Sequence, residues 1–184
     1  MVRNLQKILL CIICLINIIA TTQCDLRYEN LSSMGNFTTS HIFLIIWAFI
    51  TSSYLYIYTK QLFQQYKYLT KRKAMLLCIC CITMISSVCL PYLPQQYPIA
   101  SKWHVRLAIF SSISYVLLFY QFLIYCSYTA YPSAKRHLIF FSYFIMSELS
   151  IYFIFHGVST LMELSFSFIM SIYLYSLRHA SSPL

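Results

Sequence analysis

Acidic side chains are nearly missing from this sequence. Four occur in 184 residues (Asp25, Glu29, Glu148 and Glu163), against thirteen Lys and Arg. Asp25 is the only Asp and sits in a polar loop, so the chain offers little of the His and Asp that membrane hydrolases use. Glycine is scarcer still. Two residues leave no Gly-rich phosphate loop and no flexible linker. Neither H-E-x-x-H nor G-x-S-x-G occurs, and no internal repeat or low-complexity tract is present. What fills the chain instead is apolar. Hydrophobic residues make up 60% and charged residues 9%, and the mean hydropathy is +0.69. A soluble domain is roughly 45–50% apolar, so this composition implies a membrane protein.

The apolar residues form continuous blocks rather than alternating runs, which excludes strands and points to helices. A spanning helix needs ~20 mostly apolar residues. Six blocks approach that length: 8–21, 41–59, 74–92, 104–128, 137–156 and 160–177. The expected fold is all-α, a polytopic membrane bundle of six transmembrane helices in one domain covering 1–184.

Charge orients the bundle. With the N-terminus inside, the inner segments hold Arg3, Lys7, Lys60, Lys67, Lys71, Arg72, Lys73, Lys135, Arg136 and Arg178, leaving only Arg27, Lys102 and Arg106 outside. This bias predicts that both termini are cytoplasmic. It also accounts for the net charge of +9 without nucleic acid, since the basic residues form no continuous stripe. The loop 60–73, with Lys67, Lys71, Arg72 and Lys73 at its inner face, serves first as the topology signal. Contact with anionic lipid head groups is a further role open to it. The first block has two readings. Arg3 and Lys7 before an apolar run ending Ala20-Thr21-Thr22-Gln23-Cys24 fit a retained span or a cleaved signal peptide.

Cysteine and loop motifs carry weaker signals. Cys78-Ile79-Cys80-Cys81 has the look of a metal cluster, but on a helix these side chains diverge and cannot close a tetrahedral site. They read as small apolar residues in a span, with palmitoylation beside Lys71-Arg72-Lys73 as the alternative. Cys24 and Cys89 fall at outer span ends, and sequence alone leaves their pairing open. No metal or other cofactor is expected. Asn30-Leu31-Ser32 and Asn36-Phe37-Thr38 make Asn30 and Asn36 glycosylation candidates. The Pro- and Tyr-rich segment 91–98 ends the third span at the interface.

Polar residues inside spans are costly and usually face the bundle interior or a cavity. Glu148 lies near mid-depth of the fifth span, and Tyr152 and His156 follow at i+4 and i+8 on one stripe. In the sixth span Ser159, Glu163, Ser167 and Ser171 recur every four residues, as a packed helix interface requires. His104 opens the fourth span, with Ala108, Ser111 or Ser112, and Tyr115 on one face. Depth and stripe together place His104, His156, Glu163 and Arg106 in one outer vestibule, with Glu148 deeper. The structural alternative is a polar knot in which Glu148 is protonated or hydrogen-bonded and fixes the helix angles.

These residues resemble the Frag/DRAM/Sfk family of six-span membrane proteins, which includes the damage-regulated autophagy modulators and the factors that remodel lipids after GPI attachment. Leu31-Ser32-Ser33-Met34-Gly35-Asn36 followed by His41-Ile42-Phe43 is similar to the family's outer loop and the start of its second span. His104 with Ala108, Phe110 and Tyr115 resembles the start of its fourth. Ser147-Glu148, then Phe155-His156, Ser159-Thr160 and Glu163, resemble its fifth and sixth. Leu31 stands where the family has Pro, and Leu149 where it has an aromatic residue.

The resemblance spans about residues 25 to 170 and implies a retained first span. It also implies Golgi, lysosomal or plasma-membrane residence and a link to GPI-lipid remodelling, autophagy or phosphoinositides. The resulting expectation is a non-enzymatic membrane organiser or lipid-handling accessory protein. Its partners are membrane lipids or another membrane protein. Its vestibule candidates are His104, Glu148, Tyr152, His156 and Glu163. The rival readings are a small proton-coupled transporter using Glu148 and an intramembrane lipid hydrolase or acyltransferase using His104, His156 and Glu163.

Overall fold

A computed structural model of the chain describes residues 2–22, 25–27, 31–32, 38–129 and 134–180, with side chains placed for 7–22, 25–27, 31–32, 41–129 and 134–178. Cys24, Glu29, Asn30, Gly35 and Asn36, and with them both glycosylation candidates and one half of the Cys24–Cys89 pair, lie outside the described residues. The described chain is all helical. Six helices follow in order: α1 (Val2–Thr21), α2 (Thr38–Gln65), α3 (Lys71–Cys89), α4 (Pro98–Tyr128), α5 (Ala134–Ile154) and α6 (Thr160–Ala180). Five of them, α2 to α6, are long and apolar enough to cross a membrane; the apolar part of α1, Lys7–Thr21, is shorter. The chain is an integral membrane protein by this measure.

Helix ends follow from local chemistry. Among the described prolines, Pro91 and Pro94 fall outside the helices, and Pro98 sits at the first position of α4, where its missing N–H costs nothing. The Thr70 side chain caps α3 by accepting from the Lys73 N–H at 3.3 Å. Ser159 Oγ likewise accepts from Met162 N–H at the start of α6.

Two helices end in the left-handed conformation that glycine usually supplies. In a chain with two glycines, these places are taken by Lys67 after α2 and His156 after α5, each with φ 56°. Both ends carry the same pair of hydrogen bonds. Tyr68 N–H reaches Phe63 O and Lys67 N–H reaches Gln64 O. Gly157 N–H reaches Tyr152 O and His156 N–H reaches Phe153 O. The helix expected over 137–156 therefore stops at Ile154, and the stripe from Glu148 through Tyr152 does not continue to His156.

The main apolar core runs along α2, α4, α5 and α6 toward the end that holds the 66–70 connection. It is built of rings: Phe63, Phe119, Phe122, Phe141 and Tyr173 are all buried. A smaller cluster of Ala20, Leu31, Leu44, Trp47, Ala48, Val88 and Leu164 lies toward the opposite end. Outward-facing Ile42, Ile46 and Phe49 on α2, Ile109, Ile113 and Leu117 on α4, and Tyr143 and Met146 on α5 are exposed. In water such a surface would aggregate; in lipid it is the ordinary exterior.

Candidate functional site

Two of the polar residues singled out in the sequence, His104 and Glu163, meet at the bundle end opposite the 66–70 connection, around the described turn at Leu31-Ser32. Leu31 N–H donates to Glu163 Oε2 at 2.7 Å. Next to it, Ser32 Oγ lies 2.8 Å from His104 Nε2. The other ring nitrogen, His104 Nδ1, lies 3.1 Å from Leu90 O at the end of α3, so Nδ1 donates there and, in the neutral ring, Nε2 accepts from Ser32. A third strand of the clasp joins Leu161 N–H to Leu26 O at 3.0 Å. The segment between α1 and α2 is thus tied directly to α4 and α6, and through His104 to the end of α3. Leu31 is itself buried, as are Ser32 and His104. His41 Nε2 adds a contact to Val88 O at 3.1 Å, across the starts of α2 and the end of α3.

Below this clasp, Asn17 of α1 links three helices. Its Nδ2 donates to Ser167 Oγ at 3.2 Å, and its Oδ1 accepts from Trp47 Nε1 at 2.8 Å. Ser167 and Ser171 are buried on the α6 face turned to α1 and α2, as the four-residue serine repeat predicts. Interhelical hydrogen bonds of this kind contribute ~0.6 kcal/mol on average and up to ~1.7 kcal/mol in a membrane bundle.

The other face of α6 meets α5. There Glu148 is buried at 4% exposure. Its Oε1 lies 2.8 Å from Ser165 Oγ, and its Oε2 has no hydrogen-bond partner among the described residues.

The expected vestibule is therefore divided. His104 and Glu163 meet through the Leu31-Ser32 turn. Glu148 is buried but faces the α5–α6 seam. Tyr152 is exposed, and His156 is exposed in the turn that ends α5. Arg106 points to the exterior, its guanidinium 5.5 Å from the Trp103 ring. No group of three His, Cys, Asp or Glu among the described residues is placed to hold a metal ion. Cys80 and Cys81 are buried in α3 and Cys78 is partly buried.

Asn17, Trp47 and Ser165 belong to the network and are not among the residues the sequence marks; Ser32 is marked only as part of the outer-loop motifs. Asn17 left a signal, because it is the one amide in the run 8–21. Ser165 left none among so many serines.

At the opposite end the basic residues surround a ring cluster. Lys73 Nζ sits 3.1 Å from the Tyr68 ring centroid and donates to Tyr68 O at 3.3 Å. Burial pushes the Tyr68 phenol above its ordinary range. Lys67, Lys71 and Arg72 remain exposed, and Arg178 donates to Gln61 Oε1 across α6 and α2.

Comparison with family models, curated proteins and solved structures gives no match to this chain.

Proposed function

We propose that the protein is a membrane organiser or lipid-handling accessory protein of six spans, with both termini cytoplasmic. On this reading it performs no chemistry of its own. The observation that carries it is the clasp. One ring nitrogen of His104 and one oxygen of Glu163 are spent on holding the segment between α1 and α2 against the bundle, and the other ring nitrogen is spent on the end of α3. Groups engaged in this way shape a surface for a lipid head group or a partner span; they are not free to attack a substrate. Retention of α1 as a span is supported by the Asn17 bonds to α2 and α6. The excess of Lys and Arg at the other end supports the orientation. The resemblance to the Frag/DRAM/Sfk family adds a Golgi, lysosomal or plasma-membrane setting and a role in GPI-lipid remodelling, autophagy or phosphoinositide organisation.

Native mass spectrometry of the detergent-purified protein tests this. The expected result is a phospholipid of one head-group class retained by the wild type and lost from folded Glu163→Gln and Glu148→Gln variants. Absence of any specific lipid, with the variants merely less stable, contradicts lipid handling and directs the search to a protein partner.

The second reading, a proton-coupled carrier, draws on the unpaired Oε2 of Glu148. Its test is pH-driven flux in reconstituted vesicles, and absence of flux for a panel of small metabolites and ions removes it.

A further inference from the structure

Ser165 has one hydroxyl proton and two acceptor contacts. Its Oγ lies 2.8 Å from Glu148 Oε1 and 3.1 Å from Met162 O. Only one of these can receive the serine proton. Elsewhere in this chain helix serines commonly give their proton to a carbonyl one turn back, four residues away at Ser142 and Ser150, while Ser52 bonds Met84 Sδ instead. Ser87, Ser111, Ser127, Ser147 and Ser176 each give their proton to the carbonyl three residues back, at 2.7–2.9 Å. Met162 O stands in that same relation to Ser165. With the serine proton placed there, the shorter contact to Glu148 needs a proton from the carboxyl group.

Two further observations agree. Oε2 is buried without a partner, which is tolerable for the carbonyl oxygen of a neutral acid and severe for a carboxylate sharing its charge over both oxygens. Among the described residues no cation is bonded to it. On α5 itself Lys135, Arg136 and His137 lie at least eleven residues away, about 16 Å along the helix at 1.5 Å per residue, and Tyr152, one turn on, is exposed. From α6 the ionisable groups are Glu163, Tyr173, Tyr175 and Arg178. From α4 they are Lys102, His104, Arg106, Tyr115, Tyr120 and Tyr125. Among the described residues none of these is hydrogen-bonded to Glu148; Ser165 alone is.

We propose that Glu148 is a proton-binding site inside the membrane, held at neutral pH as a carboxylic acid that donates to Ser165 in the α5–α6 seam. Its partner is a side-chain hydroxyl, whereas Glu163 Oε2 accepts from a backbone N–H. The proposal does not depend on the lipid-handling reading, and a proton carried at this depth would serve a carrier or a structural seam equally.

Two measurements on the full chain in lipid nanodiscs at pH 7 test it. The first is reaction with a membrane-permeant carbodiimide, mapped by peptide mass spectrometry. The carboxyl proton passes to one carbodiimide nitrogen while the carboxyl oxygen bonds to the central carbon and one C=N double bond becomes single. The acyl group then moves from oxygen to nitrogen, and nothing leaves, so the Glu148 peptide gains the whole reagent mass. The second is infrared difference spectroscopy of wild type against Glu148→Gln, which reads the C=O band of a protonated carboxyl without depending on reagent access.

The expected result is that this band is present in wild type and lost in Glu148→Gln, with the adduct at Glu148 and its yield falling as pH is raised. If Glu148→Gln fails to fold, loss of the wild-type band on carbodiimide treatment reads the same group when peptide mapping finds the adduct at Glu148 and not at Glu163. A carboxylate band assigned to Glu148 at pH 7, with no protonated-carboxyl band, overturns the proposal whatever the labelling.

Discussion

Where α2 stops, Lys67 takes the left-handed position, and the next residue, Tyr68, packs edge-on against Phe63 with ring centroids 5.0 Å apart. Where α5 stops, His156 takes the same position with the same hydrogen bonds, and the next residue is Gly157, which has no side chain to pack. The two turns share a backbone and differ in what secures them. The first is set in the ring cluster of Phe63, Tyr68, Phe122 and Tyr125, where contact is broad and undirected. The second belongs to the end where single polar groups fix the chain: Glu163 to Leu31, His104 to Ser32 and Leu90, His41 to Val88. One end resists through packed area. The other resists through bonds that each leave an orphan when broken.

The comparison breaks most visibly at the ring cluster. Phe141 is fully buried against Phe119, Phe144 and Tyr173. Truncation to Ala is expected to cost ~3–5 kcal/mol, read as a lowered unfolding midpoint in detergent. At the polar end, Glu163→Ala leaves the buried Leu31 N–H unpaired and is expected to cost ~1–3 kcal/mol. Glu163→Gln keeps an acceptor oxygen and should cost clearly less. If the two variants lose the same amount, the Leu31 bond is not what Glu163 supplies. Asn17→Leu removes both side-chain bonds of Asn17 and is expected to cost on the order of 1–2 kcal/mol, with increased protease sensitivity confined to the α1 segment. The smallest effect is a gain. His156→Gly and Lys67→Gly each relieve a side chain in the left-handed region, partly offset by the freer unfolded chain, for a net gain of up to ~1 kcal/mol. A loss on His156→Gly would mean that the imidazole has a structural partner of its own.

Much of the fold was legible because it depends on composition and spacing. The apolar blocks gave six helices in the observed order, and the Ser159-Glu163-Ser167-Ser171 repeat marked the packed face of α6. Span ends were less legible. α2 runs six residues beyond the apolar block because the polar tail of Lys60 to Gln65 is still good helix sequence. α5 ends before His156 because a left-handed residue there is a tertiary choice, and histidine gives no warning of it.

At the candidate site, His104 and Glu163 were identified from depth. Their meeting point was not, since it depends on the conformation of Leu31-Ser32 between two helices. Which oxygen of Glu148 lacks a partner depends on the rotation of α5 against α6, and hydropathy does not specify that rotation.

The clasp is tested most directly by hydrogen exchange at the Leu31 amide, followed in wild type and in Glu163→Ala. The account expects strong protection in wild type, lost in the variant, while amides in the middle of α2 and α4 stay protected in both. Exchange of the wild-type Leu31 amide at the rate of a free loop would contradict it.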